Sequence, residues 1–138
     1  MPSTRAVRLD WIGEGLRFRA NGTEPAAPTV EIDPDSQTGP SPMLALLMAA
    51  GGCTGADVVA ILEKMKVGLE SLSIDVVGTR RDEHPKCYSG VKFRFRMSGN
   101  ELELSKAERA VQLSLEKYCS VVHSLAPHID VEHEIELA

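Results

Sequence analysis

The chain has little cysteine: three residues in 138, with no CxxC pair among them. An odd, widely spaced set excludes the disulfide framework of a small secreted domain and argues against a zinc ribbon or a redox dithiol motif. There is no basic excess either. The net charge is −5, with acidic and basic residues interspersed, so no stripe exists to neutralise phosphates and nucleic acid is not an expected partner. The opening MPSTRAVRLDWIGEG lacks the apolar core and small-residue cleavage site of a secretory signal. No apolar run is read as approaching a membrane span, because the longest, Met43 to Ala50, continues into Gly51-Gly52-Cys53. These absences predict a cytoplasmic protein with no membrane partner. Internal repeats and low-complexity segments are also missing.

What is present is enough apolar material, 43% of the residues, for a single domain over 1–138 with one core. Three short stretches of strand character, Ala6 to Trp11, Leu16 to Ala20 and Thr29 to Ile32, read as an antiparallel meander. The loop Asp33 to Pro42 follows, with Ser41 as helix N-cap and Pro42 at the first helical position. From Met43 to Lys66 the apolar residues recur with helical spacing. Near the middle of that helix, Gly51, Gly52 and Gly55 each cost roughly 1 kcal/mol relative to alanine, which predicts close approach of another element or a kink.

Gly68 is expected to close the helix. Two strands follow, Leu69 to Asp82 and Ser89 to Met97, and the second alternates Val91, Phe93, Phe95 and Met97 against Lys92, Arg94 and Arg96. Ser105 and Glu108 have capping-box spacing and open a helix to Tyr118, with Ala107, Ala110, Val111, Ser114 and Leu115 facing inward. A short helix over Cys119 to Leu125 and a strand over Ile129 to Leu137 complete a βββ-α-ββ-α-β order. The class is α+β. Pronounced apolar faces in so small a chain make dimerisation a natural expectation.

Two blocks carry a resemblance: Gly39-Pro-Ser-Pro-Met-Leu-Ala-Leu-Leu-Met-Ala-Ala-Gly-Gly-Cys-Thr54 and Glu108-Arg-Ala-Val-Gln-Leu-Ser-Leu-Glu-Lys-Tyr-Cys-Ser-Val121. With Glu83-His-Pro-Lys86 and the element order, nearly the whole chain resembles the OsmC/Ohr family, the osmotically inducible and organic hydroperoxide resistance proteins. The resemblance implies an intertwined homodimer whose central helices pack together, with each active site at the subunit interface. It matches Cys53 to the peroxidatic cysteine and Cys119 to the resolving cysteine, 66 positions apart. The implied activity is reduction of organic hydroperoxides through a Cys53 sulfenate and a Cys53–Cys119 disulfide. An external dithiol or lipoyl-bearing reductant restores the thiols. That chemistry requires no metal or bound cofactor.

A thiolate nucleophile needs a nearby cation or hydrogen-bond donor. Family members use an arginine from the N-terminal strands, for which Arg19 and, second, Arg17 are the candidates; the alternative is a solvated strand face for both. Met43 and Leu44 stand where the hydroperoxide-resistance branch has the acidic partner of that arginine. The Gly-Pro-Ser-Pro and Gly-Gly-Cys-Thr motifs are instead closer to another branch, which keeps a second function open: a non-enzymatic dimer binding a small apolar ligand or sensing thiol redox state.

Asp57 lies one helical turn after Cys53, on the same face. A carboxylate there raises a thiol pKa unless it orients the arginine, and it otherwise reads as an interface or capping hydrogen-bond acceptor. Met43, Leu47 and Met48 are candidates to line a substrate pocket, or equally to form dimer core. Glu63 reads as solvated and Cys87 as incidental. His123 reads either as an imidazolium near Cys119 or as a structural histidine. His84, His128 and His133 do not complete a zinc set by spacing.

Overall fold

A computed structural model describes residues 3–23 and 28–138. The chain forms two compact units, Met1–Leu46 and Leu47–Ala138. In the first, β1 (Val7–Trp11), β2 (Phe18–Gly22) and β3 (Thr29–Ile32) make an antiparallel sheet in the order β1-β2-β3. Because side chains alternate along a strand, the cross-strand neighbours Trp11↔Phe18↔Ile32 and Leu9↔Ala20↔Val30 share one apolar face. Val7, Leu9 and Trp11 are 68%, 49% and 60% exposed. Within this unit much of the face is uncovered.

The loop after β3 is organised by Asp33, which is buried. Its carboxylate accepts from the backbone N–H groups of Asp35, Gln37 and Thr38 and from the Thr38 hydroxyl, at 2.9–3.2 Å. The Asp35 N–H leads the donors that hold this carboxyl below the usual aspartate value. Gly39 packs against β3 so tightly that a Cβ would overlap the Glu31 carbonyl. Ser41 then caps α1 (Pro42–Lys64) as expected, its Oγ accepting from the Leu44 N–H at 3.2 Å.

In the second unit, β4 (Gly68–Arg80) and β5 (Tyr88–Asn100) form a long antiparallel hairpin, and β6 (Asp130–Leu137) pairs with β5 in parallel. As the alternation predicts, Val91, Phe93, Phe95 and Met97 are buried while Arg94 and Arg96 face outward. The core also takes Ala107, Ala110 and Val111 from α2 (Leu104–Leu113) and Val58 and Leu62 from α1.

The glycines of α1 separate into two kinds. Gly51 and Gly55 are buried one turn apart, and a Cβ on them would lie 2.9 Å from Val76 Cγ2 and 3.0 Å from Ile74 Cδ1. These two allow the helix to lie close on β4, which accounts for their cost in helix propensity. Gly52 faces outward with nothing within 4 Å of a Cβ. A Gly55→Leu change is expected to overpack this contact and lower stability by about 1–3 kcal/mol. Urea unfolding at constant m-value would measure it; an unchanged midpoint would contradict the close approach.

Several boundaries differ from the sequence expectation. α1 is closed by Lys66 rather than Gly68: Lys66 adopts φ 65°, and Val67 N–H donates to the Leu62 carbonyl in a Schellman-type stop. The buried Val67 anchors that turn, so a lysine accepts the left-handed conformation. α2 does not use Ser105 as a cap. Glu103 is the extended residue before the helix, its carbonyl accepting from Lys106 and Ala107 without a side-chain cap. Nor does α2 continue to Tyr118; it passes into a π-helical turn, Ser114–Tyr118, and then α3, Ser120–Ser124. β2 begins at Phe18, which leaves Arg17 outside the strand. Finally, α1 is long and apolar enough to cross a membrane, by length and composition. Its glycines interrupt a visible apolar run without lowering the average enough. The buried Ala50, Gly51, Thr54, Gly55, Val58 and Leu62 identify it as a core helix.

Candidate active site

Two helical segments of the second unit converge on a pair of sulfurs. α1 contributes Cys53, Thr54 and Asp57; Thr54 is buried, and Cys53 and Asp57 are half-buried. The π-helical turn contributes Ser114 and delivers Cys119 at its end, where the Cys119 N–H donates to the Ser114 carbonyl at 2.7 Å. An i to i−5 bond of this kind widens the helix at functional sites. Cys119 is extended, at φ −71° and ψ 102°, and starts α3, its Sγ accepting from the Val122 N–H at 3.5 Å.

Cys53 Sγ, Cys119 Sγ and an Asp57 carboxylate oxygen all lie within 4.8 Å of one another. Both cysteines are free thiols. The Thr54 hydroxyl donates to Cys119 Sγ at 3.3 Å, and the Ser114 hydroxyl donates to Asp57 Oδ2 at 2.8 Å. The Cys119 sulfur and the Asp57 carboxylate are thus each held by a hydroxyl from the other helical segment. Asp57 forms no ion pair among the described residues.

The two thiols have unequal surroundings. Cys119 is 0% exposed, and burial pushes its thiol pKa up. The hydroxyl of Thr54 and the N–H of Val122 oppose that shift, and neighbouring Cys53 adds to it. Cys53 is half-buried and is the more accessible sulfur. A thiol pKa raised on folding means that, above the ordinary thiol value of about 8.5, the unfolded chain loses this proton before the folded one does. The stability contributed by the protonated thiol is present below that pH and is lost as pH rises through the folded value. Reduced protein is therefore expected to become less stable above about pH 8.5, by at most about 1.4 kcal/mol per pH unit from this group. Comparing urea midpoints with those of a Cys119→Ala variant isolates the effect; parallel pH profiles would contradict it.

Beside Asp57 opens a hollow of about 440 Å³ lined by Asp57, Ala60, Ile61, Lys64, Leu113 and Tyr118. Met43, Leu47 and Met48 do not line this hollow; Met43 and Leu47 are half-buried, and Met48 is 61% exposed. Arg17 is bonded to Glu14 at 2.9 Å within the β1–β2 connection. Arg19 lies on the polar face of β2, in register with Asp10 on one side and Glu31 on the other. Cys87 sits apart, beside His128 with its sulfur 3.8 Å from Nε2. His133 bonds to Glu108 at 3.1 Å, while His123 and Glu63 are exposed.

Thr54 and Ser114 were not singled out from the sequence as partners of the site. Ser114 did carry a signal: it is the one hydroxyl in an otherwise apolar inward stripe. A buried hydroxyl needs a hydrogen-bond partner, and Asp57 supplies it.

Comparisons with known proteins report the family and the fold. The family described as OsmC-like protein matches residues 34–134. Protein YhfA of Escherichia coli K12 is 36% identical over 132 residues, covering 95% of this chain and 96% of that protein. An OsmC-like protein from Mycoplasma pneumoniae superposes with a TM-score of 0.84 at 12% identity, over 100% of this chain and 99% of that one. The organic hydroperoxide resistance protein OhrB of Bacillus subtilis superposes with a TM-score of 0.61 at 15% identity, over 97% and 98%. At those identities the two structures report the fold alone, whereas the family match and the YhfA relationship extend to sequence. The chain belongs to the OsmC-like family.

Proposed function

We propose that the protein is a thiol-dependent peroxidase that reduces organic hydroperoxides to alcohols. The observation that carries this reading is the approach of Cys53 and Cys119 to within 4.8 Å, although they lie 66 positions apart in sequence. Half-buried Cys53 attacks the distal peroxide oxygen as thiolate, releasing the alcohol and becoming a sulfenic acid. The Cys119 thiol then condenses with it: a sulfur–sulfur bond forms, and the sulfenic oxygen leaves as water with the Cys119 proton. An external dithiol or lipoyl-type reductant completes the cycle by thiol–disulfide exchange. Both thiols must be reduced between cycles, which fits a cytoplasmic setting.

For activation of Cys53 we assign Arg19 ahead of Arg17, on the family resemblance and because Glu14 already holds the Arg17 guanidinium. The working unit in this reading is a homodimer. Its support is an outward stripe on α1 of Met48, Gly52, Ala56, Val59 and Ala60, together with the uncovered apolar face of the β1-β2-β3 sheet. Small residues on such a stripe permit close helix packing, as the resemblance implies for two central helices.

The test is stoichiometric. Reduced protein mixed with cumene hydroperoxide is expected to consume one equivalent per chain without added thiol and to turn over repeatedly with a dithiol. A second reading, ligand binding or redox sensing without turnover, is favoured by Met43 and Leu44 in place of the acidic residue. Oxidation of one equivalent followed by no dithiol-driven turnover would select it.

A further inference from the structure

We propose that the reduced protein binds one zinc ion through Cys53 Sγ, Cys119 Sγ and the Asp57 carboxylate, and that the ion withdraws both thiols from redox chemistry. This uses the sulfurs of the proposed peroxidase cycle but does not depend on peroxidase activity. The three donor atoms already lie within 4.8 Å of one another. Tetrahedral zinc, with bonds of about 2.3 Å to sulfur and about 2.0–2.2 Å to carboxylate oxygen, brings its ligands to about 3.5–3.8 Å apart. Closing the remaining distance takes about an ångström, within reach of side-chain rotation at half-buried Cys53 and Asp57.

The surroundings resemble those of a metal ligand set in two further respects. The Ser114 hydroxyl holds Asp57 Oδ2 at 2.8 Å, the kind of outer hydrogen bond that fixes a ligating carboxylate. In addition, Asp57 has no cationic partner among the described residues, and a divalent ion would offset most of the charge of the carboxylate and two thiolates. The hollow beside Asp57 gives water access for a fourth position. Two thiolates with one carboxylate suit zinc better than magnesium or calcium, which prefer oxygen alone, or copper(I), which prefers soft ligands throughout. Binding exchanges two thiol protons for the ion and releases them to solvent. Oxidation of the pair to a disulfide removes both thiolates, so zinc occupancy and disulfide formation exclude each other.

The experiment titrates reduced, metal-stripped, full-length protein with zinc against a chromophoric chelating indicator, and with cobalt(II) to read sulfur-to-metal charge transfer. One zinc per chain is expected, with Cys53→Ser and Cys119→Ser each abolishing the charge-transfer signature of the paired sulfurs. Ser114→Ala should weaken binding by about 10-fold or more. Wild-type protein carrying the disulfide needs no substitution and should bind none. A Cys87→Ser variant removes the separate Cys87–His128 pair and should bind as the wild type does. Binding that persists in the disulfide form, or that disappears only in Cys87→Ser, would overturn the proposal, as would stoichiometry far below one. Hydroperoxide consumption is measured in parallel on metal-free protein: activity without zinc binding defeats this inference alone, and zinc binding without activity defeats the peroxidase reading alone. Where both hold, one equivalent of zinc should stop consumption and a chelator should restore it.

Discussion

Replacing Cys53 with serine is expected to reduce hydroperoxide consumption to the uncatalysed background. A serine hydroxyl at this position is nearly isosteric with the thiol, but at neutral pH it offers no anionic nucleophile and cannot form a sulfenic acid. The variant should retain its fold, because Cys53 is half-buried and the adjoining hydrogen bond to Cys119 comes from Thr54. Replacing Cys119 instead should give a different phenotype. In the proposed cycle the first half-reaction should proceed, one equivalent of alcohol should appear, and the protein should halt as a Cys53 sulfenic acid that dimedone can trap. The contrast between no turnover and one turnover assigns the roles of the two sulfurs. Equal loss of the first turnover in both variants, or retained consumption in Cys53→Ser, would contradict the assignment.

If the proposed homodimer forms through α1, Gly52→Arg is expected to give a folded monomer. Within one chain a side chain at Gly52 meets nothing within 4 Å, and exchanging glycine for arginine inside a helix should by itself favour the helix by roughly 0.5–1 kcal/mol. The glycine is therefore unexplained by the isolated chain, in contrast to Gly51 and Gly55, which face Val76 and Ile74. If a partner helix packs on the Met48–Gly52–Ala56 stripe, arginine introduces both bulk and an unpaired charge at the contact, a combination that strongly disfavours association. Light scattering across a concentration series would report the change, with circular dichroism confirming the helix content. Wild-type and variant proteins of equal mass in solution would remove the support that α1 gives to the dimer.

The distribution of what the sequence revealed follows physical reach. Alternation in β5 exposed its core face because strand periodicity is local, and Ser41 announced α1 because a cap bonds within three residues. The pairing of β6 in parallel beside β5 had no local signature. Gly68 does not mark the end of α1 because Lys66, not a glycine, adopts the left-handed turn, an outcome governed by burial of the next residue. Cys53 and Cys119 were legible only through two family motifs. Their convergence depends on the π-helical turn from Ser114 to Tyr118, which the apolar stripe of α2 did not distinguish from a continuous α-helix. Asp57 was visible as a neighbour of Cys53, but its partner Ser114 lies 57 positions away. The absence of CxxC spacing also conceals the approach of Cys53, Cys119 and Asp57, since these atoms come together in space rather than along the chain.

The most direct measurement is peptide mass spectrometry of reduced protein after exposure to one equivalent of an organic hydroperoxide, with free thiols blocked by alkylation. The predicted product is a single cross-linked peptide pair joining Cys53 to Cys119, lighter than its reduced parts by two hydrogen atoms, with Cys87 alkylated. Over-oxidised Cys53 alongside an alkylated Cys119, or both cysteines alkylated after the peroxide is consumed, would contradict the two-cysteine cycle.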